Sequence, residues 1–365
     1  MSDNSVKFNF EYDTKIKVGF IGCGAHAYRN VYPTFDYAPV DLVAVCDLMP
    51  ERAEAYRSRF GAQRAYTDYK EMLRKEKLDA VFVVLNFDKE GHPLYPKIVP
   101  DVLEAGLPVW MEKPLAYTVE EGERLLELEA KSGQIVQVAN KRYFYPAYVK
   151  AKQIIDSEAF GQAVSITCRY PLRLTPYQEE IGTRTGLMWF LDICHPMSAI
   201  HLLMGDVKEM MFTEHQPSGT THTIFKFKSG AIGSLHLPAQ AMTSTSPLER
   251  TEVIGDDHHN VVVDNGMRLI YYKGQKGSGV YGKASTFIGD DPAEGPVIWE
   301  PEHSLGQLYN KNLFLQGMVQ SVNQFCEAVI QNKKIEKSTL ADAVHLTRIF
   351  EAYKQKSDHW IKISD

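Results

Sequence analysis

Apolar runs without polar alternation recur through the first 140 residues, and this recurrence constrains the fold more than any other feature. They are Ile16 to Ile21, "VDLVAVCD" ending at Asp47, "DAVFVVLN" ending at Asn86, "LPVWMEKP" around Glu112, and "QIVQVAN" ending at Asn140. Helical patterns separate them, near 67–76, in a stretch closing on "VLEAG", and near 118–131. A strand that is apolar on both faces must be covered on both faces. The pattern therefore predicts a doubly wound, parallel α/β sheet with helices on each side. Ligands on such sheets sit beyond the carboxyl ends of the strands, where Leu85, Asn86, Glu112, Lys113 and Asn140 fall.

The first run breaks at Gly22-x-Gly24-x-x-Ala27, a G-x-G-x-x-A form of the dinucleotide (Rossmann) fingerprint. Gly22 permits the tight turn, Gly24 lets the backbone approach a pyrophosphate, and Ala27 keeps helix and strand close. Ala25 and His26 open that helix, whose free N–H groups and partial positive charge suit phosphate. Asp47 stands twenty positions beyond Ala27, where a carboxylate accepts the ribose hydroxyls. An N-cap for the following "LMPERAEAYRSRF" is its other role, and the two are compatible. A carboxylate there repels a 2′-phosphate and no arginine immediately follows it, so NAD is expected in preference to NADP. Arg52 is the nearby counter-indication. A flavin or S-adenosylmethionine uses a similar turn and acidic residue.

A chain of 365 residues exceeds one ordinary core, so two domains are expected. With 44% hydrophobic and 24% charged residues it reads as an ordinary globular protein. A formal charge of −6 without a basic run argues against nucleic acid as a partner. The polar start "MSDNSVKFNFEYDTK" lacks the apolar region of a secretory signal, and no apolar run is long enough to cross a bilayer. Five scattered cysteines without a CxxC pair suit a reducing compartment, so a cytoplasmic location without membrane contact is expected.

In the second half, "MWFLDICHPMSAIHLLMG" at 188–205 is mostly apolar yet carries Asp192 and His195. A carboxylate and an imidazole in such company are costly unless paired. By itself the pair is a structural contact or a proton-transfer site, and Cys194 beside it reads as a small buried hydrophobe. Strand patterns follow in "AVSITCRYPLRL", "THTIFKFKSGAIGSLHL" and "RTEVIGDDHHNVVVDNGMRLIYY", with hairpin turns at Ser229-Gly230 and Asn265-Gly266. The Asp and His run at 256–259 reads as a polar turn, since adjacent strand residues face opposite ways. No metal is expected. The Gly- and Pro-rich stretch 274–301 reads as a long loop or arm, and helices near 307–331 and 338–356 close the chain.

Glu112-Lys113-Pro114 directly after a strand resembles the Glu-Lys-Pro signature of the glucose–fructose oxidoreductase/inositol dehydrogenase/MocA (Gfo/Idh/MocA) family of NAD(P)-dependent oxidoreductases. The Gly22/Gly24/Ala27 turn, "EAG" before the strand, "NKRYFYPAYVKAKQII" and "DICHP…LMG" match in the same order, and the resemblance spans roughly residues 15–355. It implies an N-terminal extension over 1–14 and a Rossmann domain over 15–140. An α/β domain over 141–365 then carries a large, mostly antiparallel open sheet that binds substrate and forms homo-oligomers.

The resemblance also implies hydride transfer between a nicotinamide and a secondary hydroxyl of a sugar, glycoside or cyclitol. In that reading Lys113 lies beside nicotinamide and substrate, aimed by a cis peptide before Pro114, and His195 moves the proton with Asp192 holding substrate or the imidazole. The substrate set comprises Lys113, Asn140, Arg142, Tyr143, Arg169, Trp189, Asp192 and His195, a mixture of polar groups and aromatic faces suited to a sugar ring.

Two departures from the family stand out. The family spaces its Asp and His by four; here the spacing is three, and counting back from Gly205 keeps His195 in place. His201 reads as structural. The usual Asn-x-x-His segment is also altered: Tyr95 takes the histidine's place, His92 comes three residues earlier, and the loop 86–95 is lengthened. Oxidation at C3 of a glucosyl unit is the favoured activity. The alternatives are an inositol or cyclitol dehydrogenase and a redox-neutral NAD-dependent glycoside cleavage. A non-catalytic nucleotide-binding module is disfavoured because Lys113 and His195 are both present.

Overall fold

The computed structural model describes residues 6–240, 249–256, 258–274, 295–301 and 310–364. The chain divides into two compact units, Met1–Phe144 with Tyr309–Glu351, and Tyr145–Leu308 with Ala352–Asp365.

The first unit holds a six-stranded parallel sheet built from β1 (Ile16–Ile21), β2 (Val40–Cys46), β3 (Arg64–Tyr66), β4 (Ala80–Val83), β5 (Val109–Glu112) and β6 (Val136–Ala139). Helices α1 (Pro50–Phe60), α2 (Tyr69–Lys75), α3 (Tyr95–Glu104) and α4 (Val119–Ser132) connect successive strands. The strand order β3-β2-β1-β4-β5-β6 reverses between β1 and β4, which opens a crevice for ligand at their carboxyl ends. Strands β4 and β5 are buried throughout, as the apolar run of β4 and of β5 up to Met111 requires; the last residue of β5, Glu112, is buried too.

The helix after the glycine turn is not regular. It widens into a π-type turn over Ala27–Val31, where the Tyr32 N–H donates to the Ala27 carbonyl, and then tightens to a 3-10 stretch over Tyr32–Tyr37. Pro33 explains the change, because it has no N–H for the Arg29 carbonyl and its ring crowds that oxygen.

The second unit has helices α5 (Pro146–Ile155) and α6 (Cys194–Met204) and a nine-stranded sheet. Its strands are β7 (Ala163–Arg169), β8 (Val207–His215), β9 (Thr220–Phe227), β10 (Ile232–Leu237), β11 (Arg250–Gly255), β12 (Asn260–Asp264), β13 (Arg268–Tyr272), β14 (Val297–Trp299) and β15 (Ile361–Lys362). Among the described residues of this sheet, only β7 and β10 pair in parallel. Asn265 and Gly266 both take positive φ in the β12–β13 hairpin, as a tight primed turn demands. Alternation leaves one face wet, with Ile224, Ile232 and Ile254 exposed, while Tyr148 of α5 meets Thr251 on the other, 3.1 Å between hydroxyls.

The segment 309–351 differs from the expected division, which assigned 141–365 wholly to the second domain. Helices α7 (Lys311–Leu315), α8 (Met318–Gln331) and α9 (Leu340–Ala352) lie at its core, and residues of α8 and α9 cover the parallel sheet. Met318, Val322 and Phe325 pack with Phe20, Phe82 and Trp110 on one face; Leu340, Ala343 and Val344 pack with Val81, Val83 and Met111 on the other. Polar groups follow the same pairing: the Trp110 indole and the Gln137 amide both donate to Ser321 Oγ, at 3.2 and 2.9 Å. The expected long loop falls mainly on residues 275–294, outside the described residues. Among the described residues, no helix is long and apolar enough to cross a membrane.

Candidate functional site

Gly22 and Gly24 do different jobs. Gly22 has φ +108°, and a Cβ built on it meets the Val84 carbonyl oxygen at 1.9 Å, so no side chain fits where β1 and β4 part. Gly24 faces open space, with nothing within 4 Å of a built Cβ, which leaves its backbone approachable by a pyrophosphate. Ala27 is fully buried beneath the turn. The Asp47 carboxylate accepts from the Cys23 N–H (2.8 Å) with one oxygen and from the Met49 N–H (3.0 Å) with the other. It thus ties the glycine turn to the end of β2 and holds the turn that leads into α1, whose N-cap position is Met49 without a side-chain cap. Each oxygen keeps a lone pair for a ribose hydroxyl, whereas the expected N-cap role falls to Met49, two residues further on, because the helix starts only at Pro50.

Glu112 is the electrostatic centre of the neighbouring strand ends. Its side chain is buried, one oxygen 2.9 Å from His26 Nε2 and the other accepting the Lys113 backbone N–H at 3.0 Å. Burial alone pushes its carboxyl up, but the facing His26 and the ammonium groups of Lys113 and Lys141 outweigh that and hold it below the usual range. His26 Nδ1 lies 3.1 Å from the Asn30 amide, so His26 joins the glycine-turn helix to the Glu-Lys-Pro strand. The Lys113–Pro114 peptide is cis, as expected.

Asn140 is 2% exposed, and its Nδ2 has no hydrogen-bond partner among the described residues. A buried amide donor without a partner is costly, and at the end of β6 a ligand offering an acceptor would satisfy it. The open cradle at Gly24, the Asp47 carboxylate and this donor fit a bound dinucleotide. Leu85 is half-buried and Asn86 exposed at the end of β4. Arg142 and Tyr143 are buried in the short helical turn after Asn140.

Tyr95 opens α3 and occupies the position the resemblance gives to a histidine. Its hydroxyl accepts the Leu85 N–H at 3.2 Å, and burial, reinforced by Glu112, raises its ionisation above the ordinary phenol range. The lengthened loop is ordered around Asp88, which accepts from the N–H groups of His92 (2.9 Å) and Glu90 (3.1 Å) and pairs with Lys97 (3.0 Å). The His92 N–H is the main cause that takes the Asp88 carboxyl down to about 2. The His92 ring stacks on Tyr117 with centroids 3.9 Å apart.

In the second unit, Asp192 lies in a 3-10 turn over Trp189–Ile193 that runs directly into α6, and His195 is the second residue of that helix. Residues three apart eclipse in a 3-10 turn, which brings Asp192 Oδ1 to 3.7 Å from His195 Nε2 despite the shortened spacing. His195 is buried, Asp192 is partly exposed, and Trp189 is 73% exposed. The Tyr170 ring lies 6.4 Å from the His195 ring. Cys194 is buried. His201 Nε2 sits 2.9 Å from Asp206 at the far end of α6, a local tie in keeping with a structural role.

Alternation along β7 buries Ile166 and Cys168 and turns Arg169 to the opposite face, in register with His236 and Arg250. Tyr170, by the alternation of β7, shares the face of Cys168, a parity readable from the apolar positions of that strand. Near the Asp and His run, Asp256 accepts the Gln162 N–H at 2.9 Å and His259 Nδ1 lies 2.6 Å from the Tyr271 hydroxyl, bonds of a polar turn; Asp257 is outside the described residues. A separate cavity of about 940 Å³ opens at the amino ends of β1 and β2, lined by Tyr12, Lys15, Lys17, Arg29, Asp36 and Arg59 among others, away from the strand ends that carry the glycine turn.

Comparison with known proteins places these features in a family setting. A model described as "Oxidoreductase family, NAD-binding Rossmann fold" matches residues 16–140, and a GFO/IDH/MocA C-terminal domain model matches 148–259. Inositol 2-dehydrogenase of Salmonella typhimurium is 31% identical over 187 residues, covering 49% of this chain and 54% of that protein. The chain therefore spans about half the length of that curated relative. A dehydrogenase from Chromobacterium violaceum shares the fold, with a TM-score of 0.76 at 20% identity over 93% of this chain and 94% of that one. A levoglucosan dehydrogenase solved with NADH and L-sorbose does so with a TM-score of 0.73 at 18% identity, over 96% of this chain and 100% of that one.

Proposed function

The chain belongs to the GFO/IDH/MocA oxidoreductase family, and on that premise we propose that it oxidises a secondary hydroxyl of a sugar or glycoside with NAD, favouring C3 of a glucosyl unit. The observation that carries the reading is the set of groups at the parallel strand ends: the open Gly24 cradle, the unpartnered Asn140 amide, and Lys113 following the buried Glu112. Bound NAD supplies the hydride acceptor at its nicotinamide ring. Gly22 and Gly24 bring the backbone to the pyrophosphate, while Asp47 takes the ribose hydroxyls and repels a 2′-phosphate. The Lys113 ammonium stabilises the oxygen as its negative charge develops. His195 takes the hydroxyl proton, and Asp192, 3.7 Å away, steadies the imidazolium that forms. Trp189 offers an exposed aromatic face to a sugar ring.

The test is to purify the protein and screen glucosides, free sugars and inositols for reduction of added NAD, with dissociation constants for NAD and NADP measured side by side. Steady NADH from glucosides and tighter NAD binding support the reading. Tighter NADP binding, or no turnover of any of these substrates, counts against it. A cyclitol dehydrogenase is the second reading, supported by the inositol 2-dehydrogenase relatives; inositols then outpace glucosides in the same screen. Free sugar released without NADH identifies redox-neutral cleavage instead. Self-association through the wet face of the second unit's sheet is part of the proposal, supported by exposed Ile224, Ile232, Ile254 and Ile298. A monomer by light scattering at micromolar concentration contradicts that part.

A further inference from the structure

The stretch 170–188 joins β7 to the turn that carries Asp192, and its only regular feature among the described residues is an isolated bridge between Gln178 and Thr183. Loops of more than about 12–15 residues without secondary structure are uncommon in compact domains and are mostly functional. Both ends of this loop lead to the same group: the Tyr170 ring lies tilted 6.4 Å from that of His195, and Trp189 begins the turn that leads to Asp192.

The loop is nevertheless held tightly. The Arg184 side chain is fully buried, and its two terminal nitrogens donate to the two oxygens of Glu214 on β8, at 2.8 and 2.6 Å. One of them also donates to the Thr175 carbonyl at 2.6 Å, closing the loop on itself, and the guanidinium lies between the rings of Tyr177 and Phe212. The Leu174 N–H donates to the Gly219 carbonyl at 3.0 Å, and a Cβ on Gly219 comes within 2.3 Å of the Leu174 oxygen, so the loop lies directly on the β8–β9 turn. A forked, buried arginine–carboxylate pair fixes geometry more than it adds stability. Its placement here serves the loop, since Arg184 reaches no residue of the Asp192–His195 pair.

We propose that 170–188 is the substrate-facing wall beside His195, and that Arg184, clamped to Glu214, is the positioning residue that sets its shape. The wall matters through Tyr170, whose ring lies 6.4 Å from that of His195, and through the exposed Trp189 that follows it, so it governs which sugar or aglycone is accepted. It leaves NAD affinity unaffected. This rests on the function proposed above.

The test compares wild type, Arg184→Lys, and the double variant Arg184→Met/Glu214→Leu, which removes both charges together and so avoids leaving one buried alone. Amide hydrogen exchange over 170–188 reads the clamp, while KM, kcat and the NAD dissociation constant read the wall. The expected result is exchange accelerated by about tenfold or more in the double variant, KM for the best sugar or glycoside raised by a similar factor, and NAD affinity within about twofold of wild type. Arg184→Lys retains charge and falls between. If Arg184→Lys fails to fold, the double variant carries the comparison. Unchanged exchange overturns the clamp; faster exchange with unchanged KM and kcat, or a parallel loss of NAD affinity, overturns the wall. A wild type that turns over no sugar, glycoside or cyclitol defeats the proposed function and the wall with it, while the exchange data still decide the clamp.

Discussion

Replacing Gly22 and Gly24 by alanine, one at a time, separates folding from cofactor binding within a three-residue turn. At Gly22 the backbone sits at φ +108° and a Cβ falls 1.9 Å from the Val84 carbonyl oxygen, about 1.5 Å inside ordinary contact. Holding a non-glycine residue in such a conformation costs roughly 1–3 kcal/mol, and forcing apart packed backbone costs a further 1–3 kcal/mol or so. The loss of unfolded-chain entropy returns only about 0.4–1 kcal/mol. For a unit of this size each kcal/mol lowers Tm by roughly 2–4 °C, so Gly22→Ala is expected to melt on the order of 10 °C below wild type. At Gly24 a Cβ meets nothing within 4 Å, so Gly24→Ala should melt within about 2 °C of wild type. Its methyl group occupies the space assigned to the pyrophosphate, and a loss of about 1.4 kcal/mol or more raises the NAD dissociation constant tenfold or more. Thermal melts followed by circular dichroism, with calorimetric NAD titrations, measure both quantities. Wild-type NAD affinity in Gly24→Ala, or a Tm loss matching that of Gly22→Ala, refutes the reasoning.

Lys113→Ala should keep the fold and most NAD affinity while turnover falls by about two orders of magnitude or more; near wild-type kcat removes Lys113 from the chemistry. His195→Asn should depress turnover and delete an ionisation from the pH profile of oxidation, Asp192→Asn should lower binding or turnover to a smaller degree, and His201→Ala should affect mainly stability. Loss of turnover in His201→Ala with His195→Asn spared reverses the assignment. Glu112 contributes to stability through a carboxyl held below its ordinary range. That contribution is complete above about pH 4.3 and is lost as pH falls through the lower folded value. Glu112→Gln should therefore flatten the acid limb of unfolding free energy plotted against pH, and parallel curves for the two proteins contradict the assignment.

The parallel sheet was legible because its strands are apolar on both faces and the glycine turn breaks the first of them at a fixed spacing. Glu112, Lys113 and Asn140 could be placed because strand ends are visible as the points where apolar runs stop. The return of 309–351 to the first unit was not legible, since nothing local in α8 or α9 names the sheet whose faces they cover. That information lies in long-range packing such as Phe325 against Phe82. The break in the helix after the glycine turn was available from Pro33, which removes a helical donor. Strand parity, readable from the apolar positions of β7, sets Arg169 on the face opposite Cys168 and Tyr170 on the same face as Cys168. The Asp192–His195 contact survives its shortened spacing because the chain there is a 3-10 turn, a tighter winding than the regular helix assumed from the apolar pattern. The Arg184–Glu214 clamp joins residues thirty positions apart and left no periodic mark in the sequence.

Following the hydride itself tests the central claim most directly. A glucoside carrying deuterium at C3 is incubated with the protein and NAD, and the nicotinamide and sugar products are analysed by mass and by NMR. The expected result is deuterium on the reduced nicotinamide ring together with a 3-keto sugar. Deuterium that stays on the sugar while NAD remains oxidised, in a preparation that is folded and binds NAD, contradicts it.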